Sequence, residues 1–525
     1  MAAPLQLLDL PPELILACLV DLPYTDLSSC LKTRNRLLYN IIANSVLIRY
    51  RLVQDKACVA ENSPRMADSS ILDRLAALRR HEADWLNFTP RSRHTLTIDF
   101  ETSGVYDLTS DVYLVGNTPD PITSLCTGIK YIHTSPDADA PRWQLVEAGK
   151  PIIDFGTALE EHDLIAMVTY NVLDGEPNMR SIEVVLLEFS TGHTHPLAAH
   201  STLHIHDVEA EMERPGISIE IVGENLVLSL VYWGDGRRDM DTLHIYNWMT
   251  GIPKMAPLDV SNTGIVFLAM DTILIPNAED RSLDIYRIPP SSEVGALPRL
   301  LHSFNLPELA PPHMLLSFQC RGEPNPRAGY TRPSRAAFLP RADSALLLVS
   351  FEVQLATPHG TSEHVLVIAR ALLLTALAAC DPDIVDISWP AWGPWCTRFF
   401  DMNELSTHYI TTTCGTRMVA IAPDARIRPA PVRIFDFNEP NGGIRQMLRG
   451  ANPTPTNVRI VEADEEEGAV ARAPFAEPVF SRLPYVETVS EELFTYAAVL
   501  INDANIIGVK FGEVMVDTLE VLHFG

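Results

Sequence analysis

No two cysteines of this 525-residue sequence stand as a C-x-x-C pair; the eight are scattered from Cys18 to Cys414. That spacing argues against a disulfide or zinc framework and fits reduced thiols in an intracellular compartment. Positive charge is scarce, with 40 Lys and Arg against 67 Asp and Glu, a formal charge of −27. Such a surface repels nucleic-acid phosphate and anionic lipid, so neither a nucleic acid nor a membrane is an expected partner, and a basic partner is easier to accommodate. Long apolar runs are missing too. Ala371–Cys380, ALLLTALAAC, begins right after Arg370 and is too short to span a bilayer. The N-terminus has no basic stretch followed by an apolar one, so no secretory signal is expected and a cytoplasmic or nuclear location is.

Chemical motifs are also absent. The sequence contains no G-x-x-x-x-G-K-[ST], G-x-G-x-x-G, G-x-S-x-G or H-E-x-x-H. This removes the commonest nucleotide, hydrolase and zinc-protease readings. No catalytic residue, metal or cofactor is expected. The densest ligand-like stretch is HTHPLAAHSTLHIHD, with His193, His195, His200, His204, His206 and Asp207. Each H-x-H pair would put two imidazoles on one strand face, yet the cysteine and glutamate partners of known zinc spacings are lacking, so a polar strand edge is expected. WGDGRRDMD (Trp233–Asp241) misses the calcium-loop register and is expected to be a hairpin loop. Glu160-Glu161 is expected to be solvated surface.

What is present divides the chain in two. The first ~90 residues follow helical spacing. Pro11-Pro12-Glu13 starts a helix that Pro23 stops, Thr25 or Asp26 caps the next, and Arg34–Tyr50 continues in helical register. After a polar break, Ser69 or Ser70 caps ILDRLAALRRHEADWLNF. Forty prolines argue against long helices in the remainder. From about Arg93 the period is two, and one unit recurs: an apolar strand preceded by Asp or Gly, then a polar turn, then an alternating strand. The first strands begin at His162, Gly223, Met270, Asp343, Gly415 and Asp503, and their partners at Ser181, Thr242, Ser282, His364, Val432 and Thr518. Thr191-Gly192 and Thr250-Gly251 end two partner strands.

Six hairpins at similar spacing, with another strand region at Thr95–Thr134, indicate radial repetition, because each small sheet must stack on neighbours to bury both faces. The expected fold is therefore mainly β with a small α N-terminal domain: residues 1–50 and a helical linker 51–92, followed by a β-propeller-like domain of six to eight blades over 93–525. A pair of β-sandwiches is the structural alternative. Long loops must fill the spare length; Val461–Pro474, VEADEEEGAVARAP, is an acidic insertion expected to be mobile. WPAWGPWCTRFF (Trp389–Phe400) is expected to be a proline-rich loop. Trp392 and Trp395 there, with Trp233, Arg237 and Arg238, are candidate substrate contacts because exposed aromatics beside arginine make binding hot spots.

The N-terminal stretch resembles an F-box. Leu10-Pro11-Pro12-Glu13-Leu14-Ile15, Leu19, Leu22-Pro23, Asp26-Leu27 and Leu31 fall in that motif's register over about Leu7–Tyr50. The tryptophan common in the third helix is absent, with Arg34, Arg36, Leu37 and Tyr39 in that region. NSVLIRYRLV and the helix ending at Trp85 are similar to a fungal F-box protein group with a β-rich, propeller-like region. The resemblance implies a non-catalytic substrate receptor of a Skp–cullin–F-box ubiquitin ligase. Leu10, Pro11, Leu14, Ile15, Cys18, Leu19, Leu22, Pro23, Leu27 and Leu31 would then meet a Skp-type adaptor, and through it a cullin, while the β domain holds an unidentified protein substrate. A propeller scaffold acting outside any ligase, and a propeller enzyme with an acid or metal site in its channel, are the competing readings.

Overall fold

The structure is a computed structural model that describes residues 7–135, 142–173, 175–232, 241–261, 264–291, 297–329, 334–355, 360–401, 405, 410–438, 457–463, 470–471, 474–512 and 515–524. Three of the sequence candidates, Trp233, Arg237 and Arg238, lie outside these residues, as does much of the acidic insertion.

Prolines punctuate the first helices. Pro12 opens α1 (Pro12–Val20), and α2 (Tyr24–Lys32) follows Pro23 without a side-chain cap, so Thr25 and Asp26 sit in its first turn rather than ahead of it. The stretch expected to continue to Tyr50 breaks into α3 (Arg36–Asn44) and α4 (Val46–Ala57). Ser45 accepts a hydrogen bond from the Ile48 N–H at 3.3 Å, which starts a new helix. A short strand β1 (Val59–Glu61), α5 (Ser63–Met66) and α6 (Ile71–Leu86) complete the helical part, with Ser70 capping α6.

The β part is built from antiparallel groups of about four strands. Strand β2 (Ser92–Thr97) comes first in sequence but joins the last group. The first blade is β3 (Tyr106–Thr109), β4 (Val112–Gly116), β5 (Cys126–His133) and the opening half of β6 (Gln144–Ala158). The second half of β6 begins the second blade and is followed by α7 (Leu159–His162), β7 (Leu164–Leu173), β8 (Glu176–Glu188) and β9 (Thr202–Glu209). The third blade has β10 (Gly216–Val222), β11 (Asn225–Val231) and β12 (Thr242–Asn247), edged by β13 (Ile252–Pro253) and β14 (Leu258–Asp259). The fourth has β15 (Val266–Ala269), β16 (Thr272–Asn277), β17 (Ser282–Arg287) and β18 (Arg299–Asn305).

The fifth blade starts at β19 (Met314–Arg321). The chain then leaves it to form β20 (Phe338–Pro340), which pairs with β1, and returns as β21 (Leu346–Gln354) and β22 (Thr361–Ala369). Helix α8 (Arg370–Ala379), β23 (Asp386–Ile387), which pairs in parallel with β18 at the edge of the fourth blade, and α9 (Trp389–Cys396) then lead to β24 (Thr397–Asp401), which closes the fifth. The sixth is β25 (Thr413–Cys414), β26 (Arg417–Ala420), β27 (Ala430–Asp436) and, past β28 (Val458–Val461), β29 (Val470–Ala471) and β30 (Val479–Phe480), the long β31 (Tyr485–Phe494). The seventh is β32 (Ala498–Ile501), β33 (Asn505–Phe511) and β34 (Val516–His523), with β2 as its outer strand.

All six hairpins expected from the sequence are paired as drawn, and the described strands make seven blades. Their second strands read as apolar runs because a neighbouring blade covers each face. In β7, Leu164, Ala166 and Val168 pack on the third blade while Ile165 and Met167 pack on the first. The same core repeats between every consecutive pair. The last one joins Ile507 and Val509 of the seventh blade to Leu108 and Tyr113 of the first, so the sheets close into a ring. Closure through β2 ties the two ends of the β region together. A sandwich pair would stack two sheets once; this propeller-like ring stacks seven.

Candidate functional site

Seven inner strands ring an axial channel. Along it, Tyr106, Asp107, Asp154, Ser218, Glu220, Arg321 and Glu323 line a cavity of about 340 Å3. Four carboxyls, Asp107, Asp154, Glu220 and Glu323, meet there, none in a salt bridge among the described residues, and none was legible in the sequence. Each is a single acid in an otherwise apolar strand or at its end, a signal visible only once the strand is known to face a lumen. Burial pushes Asp107 up to about 6. Burial, then the charge of Asp107, takes Asp154 to about 7. Burial lifts Glu220 to about 8, against a 2.6 Å hydrogen bond from the Asn325 side chain. Glu323 is raised by burial and by the charges of Glu220 and Asp107. Such groups are neutral at mildly acidic pH and ionise across the neutral range, so they can release protons or attract a cation. Among the described residues no group of three His, Cys, Asp or Glu is arranged to hold a metal ion.

The other end of the channel is covered by the segment that follows β19. Asn325 reaches Glu220, Arg327 pairs with Glu160, and the Ala328 N–H donates to Glu161 at 2.9 Å. Glu161 is buried and also accepts from the Gly223 N–H, so the acid pair expected on the surface is an anchor instead. Arg370, fully buried at the start of α8, donates to the Pro324 and Ala342 carbonyls and holds the strap from behind. Burial, opposed by the nearby Glu323 and Glu220, draws its guanidinium down to about 10. Farther along, the Ser334 and Ala336 carbonyls accept from the Asn62 side chain, and β20 pairs with β1. The strap therefore joins channel and helices.

A second tie fixes the helices to the ring. Arg417 of β26 donates to Glu82 of α6 at 2.8 Å and to Asp436 at 3.1 Å, and lies over the Trp85 ring. Trp85 stacks on Phe524 at 4.2 Å and enters the core between the sixth and seventh blades. Burial opposes the Glu82 charge, but the Arg417 guanidinium outweighs it and holds the carboxyl at about 2.

The first three helices behave differently. Ile15, Leu19, Leu27, Leu38, Ile42 and Ile48 form a core that contains only residues of the helical segment, none from the ring. Of the ten residues assigned to an adaptor, Ile15, Leu19 and Leu27 are spent in this internal core, because a three-helix unit needs its own apolar centre. Leu10, Leu22 and Leu31 are half-buried, and Pro11, Leu14, Cys18 and Pro23 are exposed. Leu14 is 52% exposed and has Leu7 and Leu8 as exposed apolar residues earlier in the chain.

The remaining candidates separate. Trp392 is 1% exposed, sits in the core of the fourth and fifth blades, and donates its N–H to the Asn305 carbonyl; it is a packing residue and not a substrate contact. Trp395 is 59% exposed, with the Arg482 guanidinium 5.1 Å from its ring. Their segment is helix α9 running into β24 rather than a loop: Pro390 occupies the first turn, and Gly393 lets the backbone approach Trp389 where a Cβ would collide at 2.4 Å. The histidines are not brought together. His195 is buried and bonds the His162 carbonyl, His193 bonds the Thr191 carbonyl, and His204 faces outward on Asp207. All eight cysteines are free thiols, and no helix among the described residues is long and apolar enough to cross a membrane.

No protein-family model and no curated protein matches the sequence. Among solved structures, the chain is similar to the WD40 domain of SCAP from fission yeast at 8% identity, covering 83% of this chain and 98% of that one with a TM-score of 0.33. It is also similar to apo AztD from Citrobacter koseri, at 9% identity over 79% of this chain and 89% of that one with a TM-score of 0.34. Scores of this size carry no argument, and the propeller-like architecture stands on strand pairing and the seven cores between blades.

Proposed function

We propose that the chain is a non-catalytic substrate receptor of a Skp–cullin–F-box ubiquitin ligase, working in the cytoplasm or nucleus. What supports the reading is the division of labour in the helical segment. Helices α1–α3 enclose a core with Ile48 of α4 and leave Pro11, Leu14 and Cys18 outward, while α6 and β1 are fastened to the β part by Arg417–Glu82, Trp85 and the β1–β20 pair. An adaptor seated on the outward face would be held at a set distance from whatever the ring binds, and ubiquitin transfer would then depend on proximity alone. Covering Leu14 and its exposed neighbours Leu7 and Leu8 contributes roughly 1.5–3 kcal/mol per side chain.

The test is co-purification of the full chain with a Skp-type adaptor and a cullin. Leu14→Asp leaves folding intact and abolishes association, whereas Leu19→Asp unfolds the helical unit and abolishes it indirectly. Absence of association with the unmodified chain would favour the scaffold reading and end this one.

A further inference from the structure

A broad depression on the ring face away from the helices has no part in the reading above and does not depend on it. Lys150 and Pro151 of β6, Tyr170 of β7, Arg180 and Glu183 of β8, and Arg214 just before β10 border a space of about 890 Å3. Three cations in one place stand out on a chain of formal charge −27. Lys150 is neutralised by Glu183 at 2.6 Å. Arg180 spends one nitrogen on the Pro177 and Met179 carbonyls, at 2.9 and 3.1 Å, which orients the guanidinium without cancelling its charge. Among the described residues neither Arg180 nor Arg214 has a carboxylate partner, although Glu213 also lines the depression.

Both arginines border the same depression as the Tyr170 side chain, and the positive charge of each favours ionisation of its hydroxyl. The hydroxyl of Tyr232 is buried and, among the described residues, has no hydrogen-bond partner. Two uncompensated guanidinium groups around a phenol suit an oxyanion with several acceptor oxygens better than a lone carboxylate, because each arginine can donate two parallel hydrogen bonds.

We propose that this depression binds a phosphate group, clamped by Arg180 and Arg214 with the Tyr170 hydroxyl as a third donor. The group is either a phosphorylated side chain or free phosphate.

Phosphorus NMR linewidths of inorganic phosphate and of O-phosphoserine, titrated against the full chain, test this. Broadening of either probe, at least tenfold weaker in Arg180→Gln/Arg214→Gln, supports the site. Tighter binding of phosphoserine points to a phosphorylated side chain, and equal binding to free phosphate. Arg214→Gln alone, at an exposed position, serves if the double variant melts early. No broadening, broadening unchanged in the variants, or equal displacement by acetate would overturn the proposal.

Discussion

Trp392 and Trp395 look alike in the sequence, three positions apart in a stretch rich in proline and tryptophan. Helical spacing puts them at different depths, one under the blades and one beneath Arg482 at the surface. Trp392→Ala is expected to cost about 3–5 kcal/mol in chemical denaturation, while Trp395→Ala stays within about 0.5 kcal/mol. The channel acids were unreadable for a related reason: a single Asp or Glu in a strand reads as solvent-facing until a lumen is known. Each is harder to ionise in the folded chain than in the unfolded one. Its contribution to stability is therefore whole below about pH 4 and is lost as pH rises through about 6 for Asp107, 7 for Asp154 and 8 for Glu220. Asp154→Asn and Glu220→Gln are each expected to raise stability at pH 8 by about 1 kcal/mol, with little effect at pH 5; equal effects at both pH values would contradict the assignment. Glycine was easier. The Thr-Gly turns place Gly192 and Gly251 at φ of +71° and +73°, a region that favours glycine.

Among elements, the first strand of each hairpin, the second strand of its blade, was the most legible because burial on both faces demands an unbroken apolar run. The inner and outer strands were less so: they are short, such as β25 and β13, or polar where they meet the channel. The helical segment showed its turns but not the cap at Ser45, which divides α3 from α4 where the apolar spacing alone runs on. Helix α6 was visible as an amphipathic stripe, yet nothing local tells that Glu82 and Trp85 face Arg417, more than 300 residues away. The Glu82 carboxyl is easier to ionise when folded, so its support is present above about pH 4 and lost as pH falls toward 2. Arg417→Met, which strands that carboxylate, is expected to destabilise by about 3 kcal/mol at pH 7, measured by thermal unfolding, with the loss shrinking toward pH 3.

For the whole molecule, radial repetition was legible and bounded the blades at six to eight, but the count of seven and ring closure were not: β2 and β34 lie at opposite ends of the β region and pair only in three dimensions. Neither was the strap, which ends as β20 in the helical unit and so couples the channel's covered end to the helices. Such a body has one channel end covered by the strap, which is tied to Asn62 and β1, and a carboxyl-lined cavity within the channel. Hydrogen–deuterium exchange of the intact chain with and without a Skp-type adaptor tests the central claim most directly. The account predicts new protection confined to residues 7–31, with the blades unchanged. Protection of those residues unaltered by the adaptor, or new protection appearing in the blades instead, would contradict it.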